Sequence, residues 1–178
     1  MIENLREIAM ALVTNTPYPS LDHICEDGKM LRAVSPAYAG RDGELTAILQ
    51  YVYQSVLLSS YGNAKASRLL MDIATAEMRH LEILGTLITR LGAPPVFTEC
   101  PPYPVSYYSA SCVNYTRTLT CMIEADIRAE MSAIATYTRI LQTITSGEVA
   151  AVIARIREDE EFHLHTLQKL LKEISSQE

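Results

Sequence analysis

Two sets of ionisable residues recur along the chain: Glu44 followed by Glu77-x-x-His80, and Glu130 followed by Glu160-x-x-His163. The lone glutamate precedes its pair by 33 residues in the first set (44 to 77) and by 30 in the second (130 to 160). Each lone glutamate is also followed seven residues later by a tyrosine, Tyr51 and Tyr137. An acid and a histidine three residues apart lie on adjacent turns of one helix face. One glutamate from each of two helices, with a Glu-x-x-His pair from each of two others, is the ligand inventory of a paired metal centre in a four-helix bundle. Four carboxylates carry four negative charges, the number that two divalent cations balance.

Helix signals fit that inventory. A leader over residues 1–40 is expected to pack on a bundle spanning 41–178. It should start with an amphipathic helix near Ile2–Val13 and continue as a turn-rich stretch through Pro17, Pro19, Gly28 and Pro36. The first bundle helix should begin at Asp42 and stop at Gly62, and the second should be capped by Asn63 and end before Gly92. A third helix should run to about Thr143, and Thr145 with Glu148 has the spacing of a capping box for the fourth. The first and second helices, like the third and fourth, are joined by a few residues and must form antiparallel hairpins. More than twenty residues separate the hairpins, enough for one long crossover. The expected fold is all-α, a ferritin-like four-helix bundle with a helical leader.

At about 100° per residue, Val149, Ile153, Ile156, Glu160, His163 and Leu167 share one face of the last helix. Glu130 falls among Ile123, Ile127, Ile134 and Tyr137, and Glu77 with His80 among Leu70, Ile73, Leu84 and Ile88. The first bundle helix is apolar over much of its circumference, which hints at a face between subunits. Glu158, Glu161 and His165 lie opposite the stripe and should be solvated, and His23 should be solvated or structural. A buried, unpaired carboxylate costs several kcal/mol and would ordinarily protonate. Four on inward faces therefore call for metal. Carboxylate and imidazole ligands suit manganese or iron alike. Glu77 with Glu130 or Glu160 could bridge the ions, each histidine taking one. Asp126, one turn before Glu130, is expected to orient a histidine. Tyr51 and Tyr137 are placed to hydrogen-bond ligands across the bundle.

Composition narrows the rest. A formal charge of −6 with no basic stretch argues against nucleic acid. No apolar run approaches the ~18 residues of a membrane span, and early charges at Glu3, Arg6 and Glu7 fit no signal peptide. Cys25, Cys100, Cys112 and Cys121 form no C-x-x-C pair, so they read as reduced, partly buried thiols of a cytoplasmic protein.

The segment Tyr38-Ala-Gly-Arg-Asp-Gly-Glu-Leu-Thr-Ala-Ile-Leu-Gln-Tyr resembles the start of the first bundle helix in manganese catalases, including the small spore-coat members. Glu77-Met-Arg-His80-Leu-Glu, Asp126-Ile-Arg-Ala-Glu130 and Ala135-Thr-Tyr137 look like that family's next two helices, and Tyr18-Pro19 is similar to the coat members' leaders. Glu160-Glu-Phe-His163 looks equally like rubrerythrin, which adds a helix carboxylate where this chain has Ala133. The resemblance implies Glu44, Glu77, His80, Glu130 and His163 as ligands of two manganese or iron ions, with Glu160 at a position where the family varies. It implies catalase-like decomposition of hydrogen peroxide, with Glu160 or bridging solvent handling protons. The alternatives are a di-iron peroxidase or ferroxidase acting on peroxide or dioxygen, and a coat or shell component that keeps the site for assembly. A homo-oligomer is expected, in the cytoplasm or in a spore coat or shell.

Overall fold

A computed structural model describes residues 12–98 and 106–176. The expected helix over 2–13 falls largely outside them, and Leu12 and Val13 at its end are not helical. The described residues form five α-helices: α1 (Gly28–Ala39), α2 (Glu44–Ser60), α3 (Ala64–Arg90), α4 (Leu119–Thr143) and α5 (Gly147–Ser175). Among the described residues there is no strand, only an isolated antiparallel bridge from Thr98 to Tyr107 in the crossover. Helix α2 packs on α3 and α4 on α5, the two hairpins that the short connections require.

Helix α1 replaces part of the leader expected to be turns. Asp27 caps it, accepting from the amides of Lys29 (2.8 Å) and Met30 (3.1 Å). Gly28 occupies the first helical position. Pro36 is tolerated because the helix ends within a turn of it and the face carrying Met30, Val34, Ala37 and Tyr38 is buried. Buried contacts outweigh a proline's local penalty here. Helix α2 begins at Glu44 with Gly43, not Asp42, in the cap position, a shift of one residue from the expected cap, and Asp42 is left exposed. At its far end Gly62 takes the left-handed conformation, φ 78°, and Asn63 accepts from the Ala66 amide at 3.2 Å to start α3. Ser146 caps α5 by accepting from Val149 N at 3.3 Å, so the anticipated Thr145–Glu148 box does not form.

The core is divided. One apolar cluster gathers Val34, Leu84, Leu87, Tyr137, Ile153 and Ile156, and the other Tyr51, Leu70, Ile73, Met122, Ile123 and Leu167. Each fully buried side chain of this size contributes about 1.5–3 kcal/mol. Between the two lies a layer of ionisable groups.

Gly43 sets where that layer begins. A Cβ there would stand 2.6 Å from the Ala37 carbonyl oxygen and 2.9 Å from that of Pro36, both backbone atoms that cannot rotate away. Gly43→Ala should therefore lower stability by about 1–3 kcal/mol, read as an earlier midpoint in chemical denaturation.

Candidate metal centre

Helices α2, α3, α4 and α5 each bring their predicted acids inward. Glu44, Glu77, His80, Glu130, Glu160 and His163 are all buried, none more than 4% exposed. Their ligand atoms fall into two overlapping groups, Glu44–Glu77–His80–Glu160 and Glu77–Glu130–Glu160–His163, each within 4.8 Å. Glu77 and Glu160 belong to both, the arrangement expected of shared carboxylates. Glu44 and Glu130 each belong to one.

Around the first group, His80 Nδ1 lies 2.8 Å from Glu77, 3.0 Å from Glu160 and 3.9 Å from Glu44. Around the second, His163 Nδ1 lies 2.9 Å from Glu77, 3.8 Å from Glu160 and 3.9 Å from Glu130. The two imidazoles are 5.9 Å apart, centre to centre. Both turn Nδ1 to the middle and Nε2 outward. His163 Nε2 meets the Leu12 carbonyl oxygen at 2.7 Å. A carbonyl only accepts, so that nitrogen carries the proton and Nδ1 keeps its lone pair for a cation. His80 Nε2 meets Asp159 Oδ2 at 3.2 Å, with the same consequence.

The tyrosines cross the bundle. Tyr51 on α2 donates to Glu130 on α4, and Tyr137 on α4 donates to Glu44 on α2. The seven-residue offset in each half thus becomes a reciprocal brace between non-adjacent chain segments. Burial, with Glu130 beside Tyr51 and Glu44 beside Tyr137, pushes both phenols well above their ordinary range, so each remains a donor.

Among the described residues, Glu77 Oε1, Glu160 Oε1 and His163 Nδ1 are buried without a hydrogen-bond partner. His163 Nδ1 and Glu77 Oε1 are close, yet not in hydrogen-bond geometry. Unpartnered buried acceptors facing one another are costly, and a cation satisfies them together. The residues fit a pair of metal ions.

Electrostatics agree. Burial first, and then the neighbouring Glu77 and Glu160, pushes Glu44 well above the usual carboxylate range; burial and Glu160 do the same to Glu130. Burial opposes charge on Glu77 and Glu160 as well, but the two histidines outweigh it and hold both acids low. Burial likewise disfavours charged imidazoles, and Glu77 leads the acids that overcome it and raise His80 and His163. Without metal, the site favours protons on the outer acids Glu44 and Glu130 and on the imidazoles, and a cation competes with them.

Asp126 does not orient a histidine. Its Oδ1 accepts from the side-chain amides of Gln50 (2.8 Å) and Gln54 (3.0 Å) on α2. Burial pushes its carboxyl up to about 7. The histidine-bracing acid is Asp159, which sequence reasoning passed over. Asp159 directly precedes Glu160 and follows Arg155 by one turn, with Arg155 Nη1 2.7 Å from Oδ2; that buried i,i+4 pair is the local signal that could have found it. Its other partners, Thr14 and Tyr18, are more than a hundred residues away. His23 and His165 are exposed, as expected; Cys25 and Cys121 are exposed and Cys112 half-buried, so the thiols are more open than expected.

A cleft of about 270 Å³ opens between α2 and α4. Its inner end carries Glu44, Glu130, Glu160, Tyr51 and Tyr137, its walls Ala47, Ala129 and Ala133, and its mouth Arg41 and Arg128.

Two measurements follow from this geometry. Binding divalent ions should expel protons from the site's acids and imidazoles, so affinity should rise with pH; calorimetric titration with manganese in buffers of differing ionisation enthalpy counts them. Tyr51→Phe or Tyr137→Phe removes a donor to an outer carboxylate and should weaken metal affinity about 10–100-fold, measured by competition with a chelator.

A family model described as "manganese containing catalase" matches residues 23–99, from the end of the leader through α3. A manganese catalase of Bacillus subtilis is 42% identical over 52 residues, which cover 29% of this chain but 18% of that protein. Protein CotJC of Bacillus subtilis (strain 168) is 28% identical over 144 residues, covering 71% of this chain and 74% of that one. Among solved structures, the manganese catalase KatB from Anabaena shares the fold with a TM-score of 0.77 at 23% identity, over 93% of this chain and 81% of that one. The Desulfovibrio desulfuricans bacterioferritin, described with a diiron site, aligns with a TM-score of 0.71 at 25% identity, over 83% of this chain and 81% of that one. The chain is thus ferritin-like in fold and, over residues 23–99, similar to the manganese-containing catalases.

Proposed function

We propose that the protein holds two manganese ions between Glu44, Glu77, His80, Glu130, Glu160 and His163 and decomposes hydrogen peroxide in the manner of a catalase. One observation carries the reading: two four-residue ligand groups that share Glu77 and Glu160 at the end of an open cleft. A bound redox-active pair supplies two-electron exchange, reducing one peroxide to two waters and oxidising the next to dioxygen. The protein's part is to place peroxide and manage its protons. The oxidised peroxide releases two protons and the reduced one consumes two, so they must be held nearby between half-reactions. Glu160 faces the cleft from within and is the acid–base group of this scheme. Tyr51 and Tyr137 act as positioning residues through Glu130 and Glu44. The alanine-walled passage admits a molecule of peroxide's size and limits bulk water around the carboxylates.

A second reading uses the same ligands for iron, as a peroxidase or ferroxidase, and is favoured by the fold shared with a diiron bacterioferritin. Bound metal separates the two: manganese with oxygen release, or iron with consumption of peroxide or dioxygen and none released. Assembly as a homo-oligomer is supported by exposed apolar residues on α2, Leu49 and Val56.

Manganese-loaded protein should evolve oxygen from peroxide at an oxygen electrode. Glu160→Gln should keep the fold and cut turnover by roughly 100-fold or more. Failure of the loaded wild type to release oxygen removes the catalase reading.

A further inference from the structure

Packing leaves two seams along the bundle, because α2 meets α4, and α3 meets α5, over short stretches only. The first seam holds the cleft. Against the metal-ligand side of α3 and α5 lies the non-helical segment 12–18. Leu12 N donates to the Asp72 carbonyl on α3 (3.3 Å), and Leu12 O accepts from His163 Nε2. Thr14 N donates to Asp159 Oδ1 (2.7 Å), while Thr14 O and Thr16 O accept from Arg155 (3.1 and 2.6 Å). Tyr18 donates to Asp159 Oδ2 (2.5 Å), and its ring lies 4.3 Å from the Arg155 guanidinium carbon. The segment thus reaches the outward nitrogen of His163 directly and that of His80 through Asp159.

The two histidines are therefore braced by different chemistry. His80 leans on a charged carboxylate carried by α5, a long helix of the bundle. That contact runs between helices and does not itself need the segment. His163 leans on a neutral peptide oxygen that is present only while residues 12–18 are docked. A carboxylate behind an imidazole makes it a stronger donor than a neutral carbonyl does. Resting on the dimetal reading above, we infer that segment 12–18 is a working part of the metal centre and makes its two positions unequal. The ion beside His80 is held tightly; the ion beside His163 loads second, leaves first, and depends on the docked segment.

Challenge of the manganese-loaded full chain with a chelator tests this. Wild-type protein should release its ions in two phases, and His163→Ala should retain the slow one alone. Leu12 also packs its side chain against the cluster around Tyr51 and Leu70, so Leu12→Ala loosens the segment without touching a ligand. It should speed the fast phase about tenfold and leave the slow phase as it was. Asp159→Asn weakens the brace on His80 and the segment's Thr14 and Tyr18 anchors together, so it should speed the slow phase as well as the fast one. A readout independent of variant folding is hydrogen exchange of wild-type residues 12–18. The first equivalent of manganese should leave their exchange unchanged and the second should slow it, since coupling between sites is reciprocal. Binding of no ion pair would remove the dimetal reading itself. A pair released in one phase, or a segment whose exchange ignores the second equivalent, would overturn the present inference alone.

Discussion

Charge buried in a low-dielectric interior is the constraint from which this structure follows. Four carboxylates and two imidazoles occupy an almost wholly buried plane across the bundle, and no single member could stay ionised there alone. Each is tolerable because of the others: histidines beside Glu77 and Glu160, tyrosine hydroxyls on Glu44 and Glu130, Asp159 and a peptide oxygen behind the rings. A densely connected polar network of this kind specifies one arrangement, since a slipped helix would orphan several further groups at once.

The approximate twofold character of the centre comes from chain topology. Two helical hairpins contribute equivalent sets, and each tyrosine serves the glutamate of the other hairpin. The crossover is fastened at its end where the Asn114 amide donates to Gln50 Oε1 at 3.0 Å. Symmetry then fails in a definite way: Asp159 has no counterpart, because Ala76 precedes Glu77 where Asp159 precedes Glu160. The leader segment stands in its place behind His163.

The six inward residues were legible in the sequence because helical period and ligand chemistry pointed to the same positions. The tyrosine partners were legible as a spacing, though not their exchange between hairpins, which needs the helices' relative rotation. Asp126 was misjudged because angular proximity to Glu130 does not say which neighbouring helix it faces; it faces Gln50 and Gln54. Helix α1 was hidden by Gly28 and Pro36, whose local preferences lose to burial of Met30, Val34 and Tyr38. The brace on His163 was invisible for a stronger reason. It is a backbone oxygen, identical in every residue, and it arrives from 151 positions away.

The ionisable layer also separates the apolar cluster around Leu84 and Ile153 from the one around Leu70 and Ile123. Cooperative unfolding depends on contiguous packing, and units that share little of it open separately. Here the two ends of the bundle are coupled chiefly by continuous helix backbones and by whatever neutralises the plane between them. Cations bound in that plane would act as a rivet, making one melting unit of two, and stripping them would let either end fray on its own.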